Sequence, residues 1–158
     1  MTGSKNPDFD EHNQTVCEVL AFLTSEFGFD PPVRDDTSSV YRQVAFSRPD
    51  LCLEFAVEAE APDRPWWTAV RLFDYSRPSS YATDEQGRVR RLYRHEIVRA
   101  IQPHLDFPVP ALAAETLRGR LDCEADFIRR YARWFLLHSD EVFDSIDHPP
   151  PKPPRKLP

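Results

Sequence analysis

From Leu51 to Glu60 the chain reads L-C-L-E-F-A-V-E-A-E, with every odd position apolar and Glu54, Glu58 and Glu60 all on even ones. Successive side chains of a strand point to opposite faces, so this stretch predicts a strand with one greasy face and one acidic face. That pattern belongs to an antiparallel sheet covered on one side, and it constrains the rest of the fold. A sheet of this kind needs further strands beside it and helices over its apolar face.

The flanking sequence supplies both. Asp10 to Phe27 carries Val16, Leu20, Leu23 and Phe27 at helical spacing, with Asp8 or Asp10 available as an N-cap and Gly28 past the last turn, which predicts one helix. Phe29-Asp-Pro-Pro stops it, and residues 35–39 read as a polar connector. Val40 to Phe46 is expected to be the first strand, Ser47 to Asp50 a tight turn, Leu51 to Glu60 the second strand, Ala61 to Pro65 a link, and Trp66 to Asp74 the third. Arg88 to Tyr93 is read as a short fourth strand. His95 to Leu105 predicts a brief helix, with Pro103 tolerated near its end. Leu117, Leu121, Ala125, Ile128, Tyr131 and Phe135 form the stripe of a long amphipathic helix, and Val142, Phe143 and Ile146 suggest one more turn or a short helix packed against the body. The expected class is α+β: an N-terminal helix, an antiparallel meander of three to four strands, and C-terminal helices packed on the sheet.

A chain of 158 residues, 41% hydrophobic and 12% aromatic, can bury one core without disulfides or metal, so residues 1–147 read as a single domain. Residues 148–158, H-P-P-P-K-P-P-R-K-L-P, form a basic proline tail that can join neither a helix nor a sheet. Its Pro150, Pro153 and Arg155 match a spacing read by aromatic-grooved modules. No apolar run reaches the roughly 18 residues of a membrane span, and no secretion signal is seen, so the expected location is the cytoplasm. Three cysteines in no zinc or redox spacing, Cys17, Cys52 and Cys123, fit reduced packing thiols there.

Motifs for chemistry are sparse. Four glycines, no two closer than 25 residues, build neither a phosphate loop nor a nucleophile elbow. The five histidines are scattered, and the carboxylate groups Asp35-Asp36, Glu58 with Glu60, and Asp140, Glu141, Asp144 and Asp147 lack the glycine of a calcium loop. The reading is therefore no catalytic residue, no metal and no cofactor, with a small enzyme built on a carboxylate or histidine site as the rival.

Charge is uneven. Residues 1–65 carry 5 basic and 13 acidic groups, residues 66–105 carry 7 and 4, and residues 106–158 carry 8 and 9. An acidic N-terminal pole suits a cationic protein partner and disfavours nucleic acid. The one basic cluster, Arg88, Arg90, Arg91, Arg94 and Arg99, is expected to pair with those acids or to line a strand edge. In the third strand Trp67, Ala69, Arg71 and Phe73 share one side, with Trp66, Val70 and Leu72 on the other. If the long helix covers Val70 and Leu72, then Trp67, Phe73 and Tyr41 beside Glu54, Glu58 and Arg71 form either a second packed layer or an aromatic patch rimmed by charge. The candidate partner-binding set is Glu54, Glu58, Glu60, Trp67, Arg71, Phe73 and Tyr41.

This order of elements, ending in L-L-H-S-D-E-V-F-D-S-I, resembles the small immunity proteins encoded beside bacterial toxins in contact-dependent and polymorphic toxin systems. The resemblance spans Phe9 to Ile146 and is one of order and style; those proteins share no motif from which a residue role is carried over. It implies an acidic, cytoplasmic, non-catalytic inhibitor that masks a toxin domain with a basic surface. A second likeness is to the dimeric secretion chaperones, also small, acidic and α+β, which implies an adaptor that binds a partner protein.

Overall fold

A computed structural model describes residues 7–71, 91–109 and 114–147, and the expected α+β architecture is what it shows. Five strands, β1 (Val33–Asp35), β2 (Tyr41–Ser47), β3 (Leu51–Glu58), β4 (Ala61–Arg71) and β5 (Arg91–Tyr93), form one antiparallel sheet in the order β1-β2-β3-β4-β5. The helices are α1 (Pro7–Val19), α2 (Phe22–Phe27), α3 (Arg94–Ile101), α4 (Leu117–Arg130), α5 (Arg133–Leu137) and α6 (Ser139–Asp147). A 3-10 turn over Gln102–His104 carries Pro103 at the end of α3, where a missing N–H costs nothing.

The first predicted helix is two. Val16, Leu20, Leu23 and Phe27 are all buried as the spacing requires, but Leu23 and Thr24 donate to the carbonyls three residues back, at 3.0 and 3.2 Å, and this tighter turn divides α1 from α2. Asp8 and Asp10 lie inside the first turn of α1, where negative charge meets the helix dipole, and not at the N-cap. Gly28 closes α2 with φ +73°, the left-handed conformation that glycine adopts without a Cβ clash. The long C-terminal helix is likewise interrupted, at Tyr131 and Ala132, into α4 and α5, with Leu121, Ile128 and Phe135 still buried along one stripe.

Register fixes the faces. The rows Phe46–Leu53–Ala69–Leu92 and Val44–Phe55–Trp67 point to the helices. There Phe55 lies edge-on to Phe46 at 5.9 Å and stacks on Trp67 at 5.8 Å, and Trp67 meets Phe127 of α4 at 6.2 Å. Val16 and Leu20 of α1, Ile97 and Ile101 of α3, and Phe135, Val142 and Phe143 complete the core. Both the N-terminal and the long C-terminal helix thus cover the Trp67 side of β4, so the condition of a C-terminal helix over Val70 is not met.

Two strand assignments also change. Val33–Asp35, lying between the breaker and the connector and overlapping the latter at Asp35, adds an edge strand paired to Gln43–Ala45. Ala61–Pro65, read as a link, belongs to β4, and the pairing slips there: Glu58 faces Ala61 whereas Ala56 faces Trp66. β3 runs regularly against β2 through this region, so the surplus residues sit on β4, where Pro62 and Pro65 have no N–H to give the ladder. A third strand reaching Asp74 and the first half of the Arg88–Tyr93 strand lie outside the described residues.

Candidate functional site on the open sheet face

On the face away from the helices burial is graded. Cys52, Thr68 and Val70 are buried on the central strands, but Tyr41 and Trp66 towards the β3–β4 turn are exposed, as are Val33 and Tyr93 on the two edge strands. Pairing places Tyr41 opposite Glu58, Trp66 opposite Ala56, and Tyr93 opposite Thr68, so these aromatic rings run diagonally across the open end with Glu58 among them.

Two hollows bracket this strip. The first, about 300 Å³, lies at the end of the sheet against Val40, Tyr41, Glu58, Ala59 and Glu60. The Tyr41 hydroxyl donates to Asp35 at 2.9 Å, and Asp35 also accepts from the Thr37 amide and hydroxyl. The Thr37 bonds hold the Asp35 carboxyl below its usual range, and the neighbouring Asp35 carboxylate pushes the Tyr41 phenol up. The ring is therefore held in place from within the chain.

The second hollow, about 210 Å³, has walls from Pro65, Trp66, Tyr93 and His95 and a floor from Trp67, Arg94 and Glu124. Tyr93 and His95 stack at 6.1 Å with 14° between their planes. β5 ends at Tyr93 opposite Thr68, so the Pro65–Trp67 stretch of β4 has no β5 neighbour. Below, Glu124 is buried and accepts from the Trp67 indole at 2.8 Å and from Arg94 Nε at 2.8 Å, with the Arg94 guanidinium 4.3 Å above the Phe127 ring. A buried carboxylate paired with a cation and a neutral donor is a locked structural unit.

The predicted set divides. Tyr41, Glu58 and Glu60 are brought together around the first hollow. Glu54 faces the same side but is not displayed: its side chain is 16% exposed and bonded to Arg91 at 2.7 Å, and the same guanidinium nitrogen donates to Thr68 at 2.7 Å. For Arg91 alone this matches the expected pairing of the basic cluster with N-terminal acids. Arg94 pairs with Glu124, Arg99 is exposed, and Arg88 and Arg90 lie outside the described residues. Trp67 is 2% exposed on the helix face and cannot anchor a partner without unfolding the core. Arg71 also points to the helices, bonded to Asp144 at 2.6 Å and 3.6 Å from Asp140. Phe73 lies outside the described residues.

The residues missed are Trp66 and Tyr93. The sequence pattern sets Trp67, not Trp66, beside Glu54 and Glu58; the β4 irregularity exchanges the two. Elsewhere, among the described residues, no three histidine, cysteine or acidic side chains converge as a metal site, all three cysteines are free, and no helix is long and apolar enough to cross a membrane. The carboxylates Asp140 and Glu141 lie in the first turn of α6, where negative charge meets the helix dipole. His104, Trp134 and His138 form a stack, at 3.8 and 4.7 Å between successive rings.

No protein-family model, curated protein or solved structure matches this chain.

Proposed function

We propose that this protein is a non-catalytic binding protein that neutralises a basic protein partner, working in the cytoplasm in the manner of a toxin-immunity protein. The observation that carries the reading is the grouping, at the open end of the sheet, of Tyr41, Trp66 and Tyr93 with Glu58 and Glu60. Tyrosine and tryptophan offer large contact area at low conformational cost and dominate binding hot spots. Acidic side chains beside them accelerate encounter with a cationic surface and set its orientation. The acidic N-terminal region and the element order shared with small immunity proteins support the same reading.

Co-expression with the protein encoded beside it tests this. The wild-type chain is expected to rescue growth and to form a complex that weakens with salt, and Trp66→Ala should abolish both while leaving the fold intact. Absence of a complex at low salt, or a complex indifferent to Trp66, Tyr93 and Glu58 together, would overturn the proposal. Binding to many unrelated partners without inhibition would favour the chaperone-like adaptor.

A further inference from the structure

Rings and carboxylates meet arginine in a repeated way in this molecule. Among the described residues, Arg42 lies 4.1 Å above the Phe9 ring and 3.0 Å from Asp10, and Arg129 lies 4.0 Å above Phe22 and 3.2 Å from Glu26. Arg94 does the same at Phe127 with Glu124, and Arg48 and Arg71 repeat it with Asp50 and Asp144. In each case the ring face attracts the cation while the acid accepts its N–H groups, so one planar guanidinium satisfies both.

The ring and acids on the open sheet face have no such arginine. In the hollow of about 300 Å³ at the end of the sheet, Tyr41 stands directly opposite Glu58, with Glu60 beside them and Val40 and Ala59 as apolar wall. Tyr41 and both glutamates are exposed, and no cation among the described residues pairs with either carboxylate. Arg64, on the neighbouring stretch of β4, is exposed and bonded to neither. Glu54, earlier on the same face of β3, shows the contrast, since there Arg91 closes off the carboxylate from within the chain. The Tyr41 hydroxyl is taken by Asp35 at 2.9 Å, so what this residue offers a partner is its ring. Resting on the reading of this face as a docking surface, we infer that the hollow is a seat for an arginine side chain of the partner. Its guanidinium lies on the Tyr41 ring between Glu58 and Glu60, and its stem lies against Val40 and Ala59. Two separate carboxylates each accept from one edge of the guanidinium fork, whereas the ammonium of lysine is a compact, strongly hydrated charge that fits a ring and two acids less well.

Titration of the full-length protein with Nα-acetyl-arginine amide tests this, followed by NMR at the Tyr41 ring and at the Ala59 and Glu60 amides. These signals should move saturably, the neutral isostere Nα-acetyl-citrulline amide should leave them still, and Nα-acetyl-lysine amide should bind several-fold more weakly. Tyr41→Leu, and Glu58→Gln together with Glu60→Gln, should each weaken arginine binding about tenfold. Tyr41→Phe keeps the ring and loses only the Asp35 bond, so it should retain most of the affinity. Equal responses to the arginine and lysine amides would overturn the choice of arginine, and no saturable response at Tyr41 would overturn the seat. If the arginine amide does not bind while Trp66→Ala still abolishes partner capture, the seat is refuted and the docking surface stands. If it saturates at Tyr41 yet no complex forms with the protein encoded beside this one, the inhibitor reading falls and the seat stands.

Discussion

Two adjacent tryptophans in one strand meet opposite fates. Trp67 is stacked on Phe55, bonded to Glu124 and 2% exposed, while Trp66 stands 40% exposed beside Tyr93 and Pro65. The two faces of β4 therefore do different work: the helix side spends its aromatic surface on the core, and the open side keeps it available. Chemical type is the same in both cases, so the difference is one of register.

The sharpest way to break the comparison is to truncate each ring. Trp67→Ala should destabilise the fold by about 3–5 kcal/mol, the range for removing a large buried aromatic. Trp66→Ala should cost under about 1 kcal/mol, as an exposed position away from caps and networks. Urea unfolding of both variants decides the matter: equal losses would mean that the open face is a second core. Glu124→Ala comes next, at about 3 kcal/mol, because it leaves the Trp67 indole and the Arg94 guanidinium without their shared acceptor in a buried site. Glu58→Ala, on the open side, should change stability by no more than about 0.5 kcal/mol.

A pH series separates the layers further. His12 is fully buried in α1, its Nδ1 2.7 Å from the Asn13 side-chain oxygen, and its Nε2 has no partner; Asn13 in turn donates to Asp36 at 2.7 Å. Burial lowers its pKa below the ordinary 6.5, outweighing the Asn13 bond and the Asp36 charge that raise it. As pH falls below 6.5 the unfolded chain takes up the proton first, so folding weakens from there until the pH passes His12's own folded value. Thermal unfolding between pH 7 and 5 should show this decline, and His12→Leu should flatten it. An unchanged slope would place the linkage elsewhere.

The class of fold was readable because it rests on periodicity. Leu51, Leu53, Phe55 and Val57 form one buried face as the odd positions of a strand predict, although Cys52 and Ala56 on the other face are buried as well, and Val16, Leu20, Leu23 and Phe27 keep one stripe even though the helix beneath it is broken. The site was only partly readable, because its membership depends on one irregularity. Continuing the Glu58–Ala61 pairing without a slip would set Trp66 opposite Leu53 and Trp67 opposite Cys52, exchanging the buried and exposed rings. The slip is odd-numbered and so inverts every side chain beyond it. Pro62 and Pro65 were the visible warning, since prolines inside a strand demand an interruption of the ladder, but neither states how many residues are gained. Glu54 shows the second limit: alternation gives its face correctly and is silent on Arg91, which arrives from a strand 37 residues later.

The smallest effect on folding should coincide with the largest effect on association kinetics. Glu58→Lys with Glu60→Lys inverts two exposed charges beside Tyr41 without removing a buried contact, so unfolding should move by only a few tenths of a kcal/mol. Encounter with a cationic partner depends on the field those groups project, so the association rate at low salt should fall about tenfold or more, with the difference shrinking as ionic strength rises and screening sets in. Glu54→Gln is the internal contrast: its carboxylate is already neutralised by Arg91, so it should disturb stability more and association less. Stopped-flow binding of the three chains at two salt concentrations reads this directly. If Glu54→Gln slows encounter as much as the double reversal does, steering arises from the summed charge of the N-terminal region and not from the open end of the sheet.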